Sequence, residues 1–158
     1  MKKIVALFVL ILTFCGCENS SEPSLEERFS CKVDGKLFVA AADSENPITG
    51  SKNLSIDYSG ESSFSPYYLS ITASGKNEGV SVGCKAVTKT GTYPINSAAY
   101  DRNAHYFEYK EEGTVTIYHL DTIAKKIAGT FQFTAEDRNG IKVTISEGKF
   151  NHIYKPSY

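Results

Sequence analysis

An all-β domain is the fold class predicted for residues 29–158, as an antiparallel sandwich of about nine or ten short strands with a closed meander barrel as the alternative. Three observations predict it. No stretch of that region sustains the three-to-four-residue apolar period of an amphipathic helix, whereas two-residue alternation recurs along it. Turn dipeptides punctuate the alternation, above all Asp34-Gly35 and Asn139-Gly140. Large aromatics share the parity of the aliphatic residues: Phe29, Phe107, Phe131, Phe133 and Phe150 all fall on predicted inward faces. The interior therefore reads as filled, which favours the sandwich.

The elements follow in chain order. Phe29, Cys31 and Val33 alternate with Ser30 and Lys32, and Asp34-Gly35 turns the chain into Leu37-Phe38-Val39. Leu54, Ile56 and Tyr58 form the next inward row, then Tyr67, Leu69, Ile71 and Ala73, then Val80, Val82, Cys84 and Ala86. Glu111-Glu112 before Gly113 reads as a turn, and Tyr100-Asp101-Arg102-Asn103 as a polar loop. Strands over residues 114–118, 126–134 and 141–145 make a C-terminal meander with Val115, Ile117, Ile127, Phe131, Phe133, Val143 and Ile145 inward. Asn139-Gly140 closes its second hairpin. Glu147-Gly148 interrupts alternation before Phe150 and predicts a bulge that re-aims the last strand.

The N-terminus is of a different kind. Lys2 and Lys3 precede an apolar run of eleven positions, 4–14, in which Thr13 is the one polar residue. A membrane-spanning helix needs about 20, so this reads as a secretory leader. Phe14-Cys15-Gly16-Cys17 resembles the lipobox of bacterial lipoproteins, with small Gly16 before the acceptor; Cys15 is the poorer acceptor because bulky Phe14 would precede it. The resemblance implies that residues 1–16 are removed as a signal peptide and that Cys17 becomes an acylated N-terminus. One acyl chain gives marginal membrane binding and two or more make it stable, at about 0.8 kcal/mol per buried methylene. Residues 17–28 hold Ser, Asn, Glu and Pro without apolar periodicity and read as a tether with a reach of roughly 20 Å.

Composition narrows the function classes. Loss of the leader takes two of the 17 basic residues and none of the 18 acidic ones, so the formal charge moves from −1 to −3. That is no footprint for a nucleic-acid partner, and anchoring falls to the acyl chains. Of four cysteines, Cys31 and Cys84 remain in the domain on inward faces, where they either pair as a disulfide or pack as separate small hydrophobes. No Cys-x-x-Cys is present and the three histidines are dispersed, so neither a metal nor a cofactor is expected.

The runs Phe29-Ser-Cys-Lys-Val-Asp-Gly-Lys-Leu-Phe38, Gly91-Thr-Tyr-Pro-Ile95, Ile127-Ala-Gly-Thr-Phe-Gln-Phe-Thr134 and Val143-Thr-Ile-Ser-Glu-Gly-Lys-Phe150 resemble a family of small Bacteroidota lipoproteins whose β-domain has no assigned function. The resemblance implies the fold and an outer-membrane or other envelope address. Its motifs are turns, strands and a bulge, and they bring no catalytic residue with them.

Candidate sites are few. Gly79-Val80-Ser81-Val82-Gly83 lies within the alternating run of a predicted strand rather than at a nucleophile elbow, and His105, His119 and His152 lie in three separate segments, which argues against a catalytic histidine. Glu111-Glu112, Glu136-Asp137 and the Asp43/Glu45 pair are turn or loop acids rather than a general acid–base couple. Asp137-x-Asn139-Gly140 starts like a calcium loop but lacks the other ligands. Tyr93, Tyr100, Asp101, Arg102 and Tyr106 form the one candidate ligand surface, where ring faces beside Asp and Arg suit a sugar or a peptide. Asp121-Thr122-Ile123 matches a short O-glycosylation pattern of exported Bacteroidota proteins, with Thr122 as acceptor in a hairpin loop. These readings predict a lipid-anchored, non-enzymatic binding or interaction module of the cell envelope, with the membrane and a glycan or envelope protein as partners. Two other classes stand beside it, a lipocalin-like carrier of a small apolar ligand and a glycan-acting hydrolase.

Overall fold

The computed structural model describes residues 29–40, 53–61, 64 and 66–157. The leader, Cys15, Cys17, the tether and the Asp43/Glu45 loop lie outside them. Eleven strands and no helix occupy the described residues: β1 (Phe29–Val33), β2 (Lys36–Val39), β3 (Leu54–Ser59), β4 (Leu69–Ser74), β5 (Glu78–Cys84), β6 (Gly91–Pro94), β7 (Ser97–Arg102), β8 (His105–Asp121), β9 (Lys126–Glu136), β10 (Lys142–Ile153) and β11 (Lys155–Ser157). The all-β class is as expected. Where two stacked layers were the preferred arrangement, the strands form one strongly curled mixed sheet, a half-barrel whose opposite parts face each other over a common core.

Local chemistry explains the strands. Asp34 and Gly35 take positive φ values of 48° and 77°, the two-residue turn whose twist matches paired strands. The Asp34 side chain also accepts from the Thr144 N–H at 2.8 Å, which pins that turn to β10. The predicted inward rows are buried with few exceptions, including all seven named residues of the C-terminal meander. Ala86 departs from its row and is exposed, because the chain leaves β5 there with φ 60°. The bulge at Glu147-Gly148 is present: Glu147 has φ 50° and the β9–β10 register shifts between Ile145 and Gly148.

Two parts differ from expectation. Glu111-Glu112-Gly113 is no turn but a pair of bulges inside β8, which runs on for 17 residues. Bulges and turns draw on the same chemistry, a positive φ (57° at Glu112) followed by glycine. The bulges bend β8 enough to change partners, β7 along its first part and β6 along its last. The supposed loop at Tyr100 is likewise strand β7, and the reversal falls at Asn103 and Ala104, with φ 52° and 62°.

Curling has two visible causes. On β9 and β10 glycines sit opposite phenylalanines, Gly148 facing Phe131 and Gly129 facing Phe150. A methyl group on Gly148 would lie 2.6 Å from the Phe131 ring, and one on Gly129 2.6 Å from the Phe150 ring. The rings therefore lie flat over bare backbone and the sheet closes around them. The second cause is Tyr154, the single residue between β10 and β11. It carries the last strand across to pair in parallel with β3, at the far end of the strand order. The β2 ring of Phe38 accordingly reaches the β4–β5 turn at Gly75.

Aromatics fill the enclosed space. Phe29 stacks on Phe131 at 5.3 Å and meets Phe38 edge-on at 5.8 Å, while Phe131 neighbours both Phe133 and Phe150. The turns divide between two rims. The upper rim gathers residues 34–35, 75–77, 103–104 and 137–141; the lower gathers residues 60–61, 64, 66–68, 85–90, 122–125 and Tyr154.

Candidate functional site

Two hairpin ends meet on the upper rim. The β7–β8 turn is held by the Asn103 N–H, which donates to the Asn77 carbonyl at 2.9 Å, and it delivers His105 as the first residue of β8. Beside it runs the β9–β10 loop, which Asp137 organises. One carboxylate oxygen of Asp137, Oδ1, accepts from the N–H groups of Asn139 (2.9 Å) and Ile141 (2.8 Å), an arrangement that closes a turn from within. The other, Oδ2, lies 2.7 Å from His105 Nε2 and 3.4 Å from the Asn139 amide nitrogen.

The electrostatics of this pair are set by hydrogen bonds. The Asp137 side chain is 1% exposed while the His105 side chain is 51% exposed. Burial alone would raise the Asp137 pKa, yet the donors from Ile141, His105 and Asn139 outweigh that and hold the carboxyl below its ordinary value. An ionised carboxylate only accepts, so His105 Nε2 carries the proton and donates. In the neutral ring Nδ1 is then the acceptor, left for solvent or a ligand. The ring is steadied from beneath by Phe107, stacked at 4.9 Å.

The result is an open cleft of about 330 Å³ lined by Ala104, His105, Tyr106, Asp137, Arg138 and Asn139. It offers an exposed tyrosine, an oriented imidazole, a guanidinium and an amide. Its one buried carboxylate already has both oxygens engaged, so the arrangement suits recognition by ring contact and hydrogen bonding better than proton transfer.

The candidate ligand surface is only partly assembled. Asp101 stands directly across from Tyr106 and Arg102 across from His105, so these three flank the cleft. Tyr100 points the other way: it is fully buried and its hydroxyl donates to Glu78 at 2.7 Å. Its alternation with exposed Asp101 on β7 fixes that direction, so it presents no face to an outside ligand. Tyr93 lies apart on β6, half-buried, with its hydroxyl donating to the Lys89 carbonyl at 2.7 Å and accepting from the Lys89 N–H at 3.2 Å. It braces a loop. Residue pattern alone did not single out His105 and Asp137 as partners. The one available signal was Asp137-x-Asn139-Gly140, which marks a side-chain-closed turn rather than a calcium loop.

Elsewhere, Thr122 is exposed in the β8–β9 turn, where the preceding Asp121 accepts from Ile123 N–H (2.9 Å) and Ala124 N–H (2.7 Å). Cys31 and Cys84 are separate, buried free thiols rather than a disulfide. Burial pushes each thiol up to about 12, so both pack as inert hydrophobes. Among the described residues no three His, Cys, Asp or Glu side chains gather as a metal site. Glu108 and Glu136 do face each other across β8 and β9, but on the outer surface beside Lys142 rather than across a cleft.

A model for a domain of unknown function, DUF6252, matches residues 27–154. No curated protein and no solved structure matches the chain.

Proposed function

The chain belongs to the DUF6252 family, a domain of unknown function, and we propose that it is a lipid-anchored protein of the cell envelope, of the Bacteroidota lipoprotein kind, that binds a saccharide through the cleft between the β7–β8 and β9–β10 turns. The anchor is Cys17, and the domain acts without catalysis. The observation that carries the binding role is the His105–Asp137 contact. It costs the loop a desolvated carboxylate and fixes an otherwise exposed imidazole beside Tyr106 and Arg138. A rigid polar ring next to an exposed aromatic face is what a hydroxyl-rich ligand needs: ring contact below, hydrogen bonds at the edge.

The carrier reading needs free interior volume, and the stacked Phe29, Phe131, Phe133 and Phe150 occupy the space it would use. The hydrolase reading needs a carboxylate with an available oxygen facing another, which Asp137 does not offer. Binding of the full chain to an array of envelope polysaccharides, followed by titration calorimetry, tests the proposal. Tyr106→Ala and Arg138→Ala should each weaken binding at least tenfold, with Tyr93→Phe unchanged. Saccharide binding that is indifferent to Tyr106 and Arg138, or none at all, would reject the cleft. The anchor is tested separately, by the mass of the mature N-terminal peptide; an unmodified Cys17 rejects it.

A further inference from the structure

We infer that the lower rim is a bilayer-contacting face, seating the domain with its apolar turn tips among the headgroups of the membrane that holds Cys17, so that the upper-rim cleft faces away from that membrane. The inference rests on the anchoring proposed above, and it comes from where the chain enters the sheet. Phe29, the first described residue, pairs with Phe150, three residues before β10 ends at Ile153. The other end of β10, Lys142, adjoins the cleft loop and lies eight residues away, about 26 Å at about 3.3 Å per residue. β1 then runs toward the upper rim, since Val33 pairs with Ile145. A tether of twelve residues, 17–28, reaching roughly 20 Å, therefore draws the lower rim, not the upper, toward an anchor at Cys17.

That same rim carries side chains that suit a bilayer and are costly to leave in water. Ile123 at the β8–β9 tip is 95% exposed, Ile153 at the end of β10 is 59% exposed, and Phe64 in the loop after β3 is fully exposed. The first two belong to one rigid edge, because the Tyr154 N–H donates to the Lys125 carbonyl at 2.9 Å. Lys125, Lys126 and Lys155 flank the tips with long stems able to snorkel. The acids nearby are Asp121, whose Oδ1 is engaged in its turn, Asp57, in register with Lys155, and Glu61. The upper rim also exposes Leu37 and Ile141, beside turns stapled by Asp34, Asn103 and Asp137, so it is the entry point of the tether that singles out the lower rim. Isolated apolar tips ringed by lysine match an interface with an apolar layer beneath charged headgroups.

The test uses the full chain as isolated, in vesicles of phosphatidylcholine and phosphatidylglycerol. Ile123→Cys, Ile153→Cys and, on the upper rim, Lys36→Cys are each labelled with a fluorophore quenched by lipids brominated along the acyl chain; Cys31 and Cys84 are buried and do not compete, and the unsubstituted chain taken through the same labelling gives the background from Cys15 and Cys17 wherever they are free thiols. Quenching at positions 123 and 153 should exceed that at 36 several-fold. N-terminal mass spectrometry on the same samples keeps the two proposals apart. An acylated chain quenched equally at all three positions, or most at 36, overturns the seating and leaves the anchor. An unacylated chain still quenched at 123 and 153 upholds the seating and removes the anchor, and one quenched nowhere removes both.

Discussion

Asp121 and Asp137 flank β9 and perform the same local task. Each lies at a hairpin turn, and each accepts backbone N–H groups two and three or four residues on. Both carboxyls are held below the ordinary range, Asp121 chiefly by the Ala124 N–H, and Asp137 by the Ile141 N–H, His105 and Asn139 acting against its own burial. What separates them is one partner from outside the turn. Asp121 stands at a tip with exposed neighbours, whereas Asp137 receives a histidine from the adjacent hairpin and is sealed by it. A turn-forming aspartate becomes part of a site when a second hairpin brings it a donor, and nothing in its own loop need change.

The comparison can be broken at the strand the two turns share. Phe131 lies in mid-β9, buried against Phe29, Phe133 and Phe150. Phe131→Ala should cost about 3–5 kcal/mol, read as a lower urea midpoint in which probes at both rims move together. Separate transitions at the two turns would show that β9 does not couple them. Next in size, Asp137→Asn should lower the melting temperature clearly more than Asp121→Asn, since it disturbs two hairpins rather than one. Equal losses would mean that His105 adds nothing to the turn.

A pH series sharpens the same contrast. A carboxyl whose folded value is depressed contributes stability that is fully present above its unfolded value, about 4, and lost as pH falls through the folded one. The stability gap between the native chain and Asp137→Asn should therefore be constant at neutral pH and close below about pH 4. A gap that persists to pH 2 would assign the effect to shape rather than charge. The smallest effect is expected at Glu108, directly opposite Glu136. Glu108→Lys replaces a like-charge pair by an opposite one and should raise stability by about 0.2–1 kcal/mol, measured by chemical denaturation at low salt.

Much of the fold was legible because alternation reports burial directly. The inward rows, the Asp34-Gly35 turn, the hairpin at Asn139-Gly140 and the bulge at Glu147-Gly148 all rest on neighbouring residues. The rest depends on distant pairings. Glu112-Gly113 looks like a turn locally, and only the company of β6, β7 and β9 makes it a bend within a strand. The parallel pairing of β11 with β3 leaves no mark in Lys155-Pro156-Ser157. The candidate cleft was half-legible: Asp101, Arg102 and Tyr106 were named, but His105 and Asp137 are 32 positions apart and meet only through sheet order. Tyr100 was misplaced for a simpler reason. The polar run Asp101-Arg102-Asn103 after it made a loop of what is a strand, and one parity step turned its ring inward.

The pairing of the first strand with the tenth has a consequence for biogenesis. Lys32 and Glu147 touch at 2.7 Å across a separation of 115 positions, and the seam at β3 is sewn by the final residues of the chain. A ribosome must therefore translate through β10 before β1 acquires any sheet neighbour beyond β2. Until then the nascent product lacks the two pairings, β1 with β10 and β11 with β3, that close the sheet around its core.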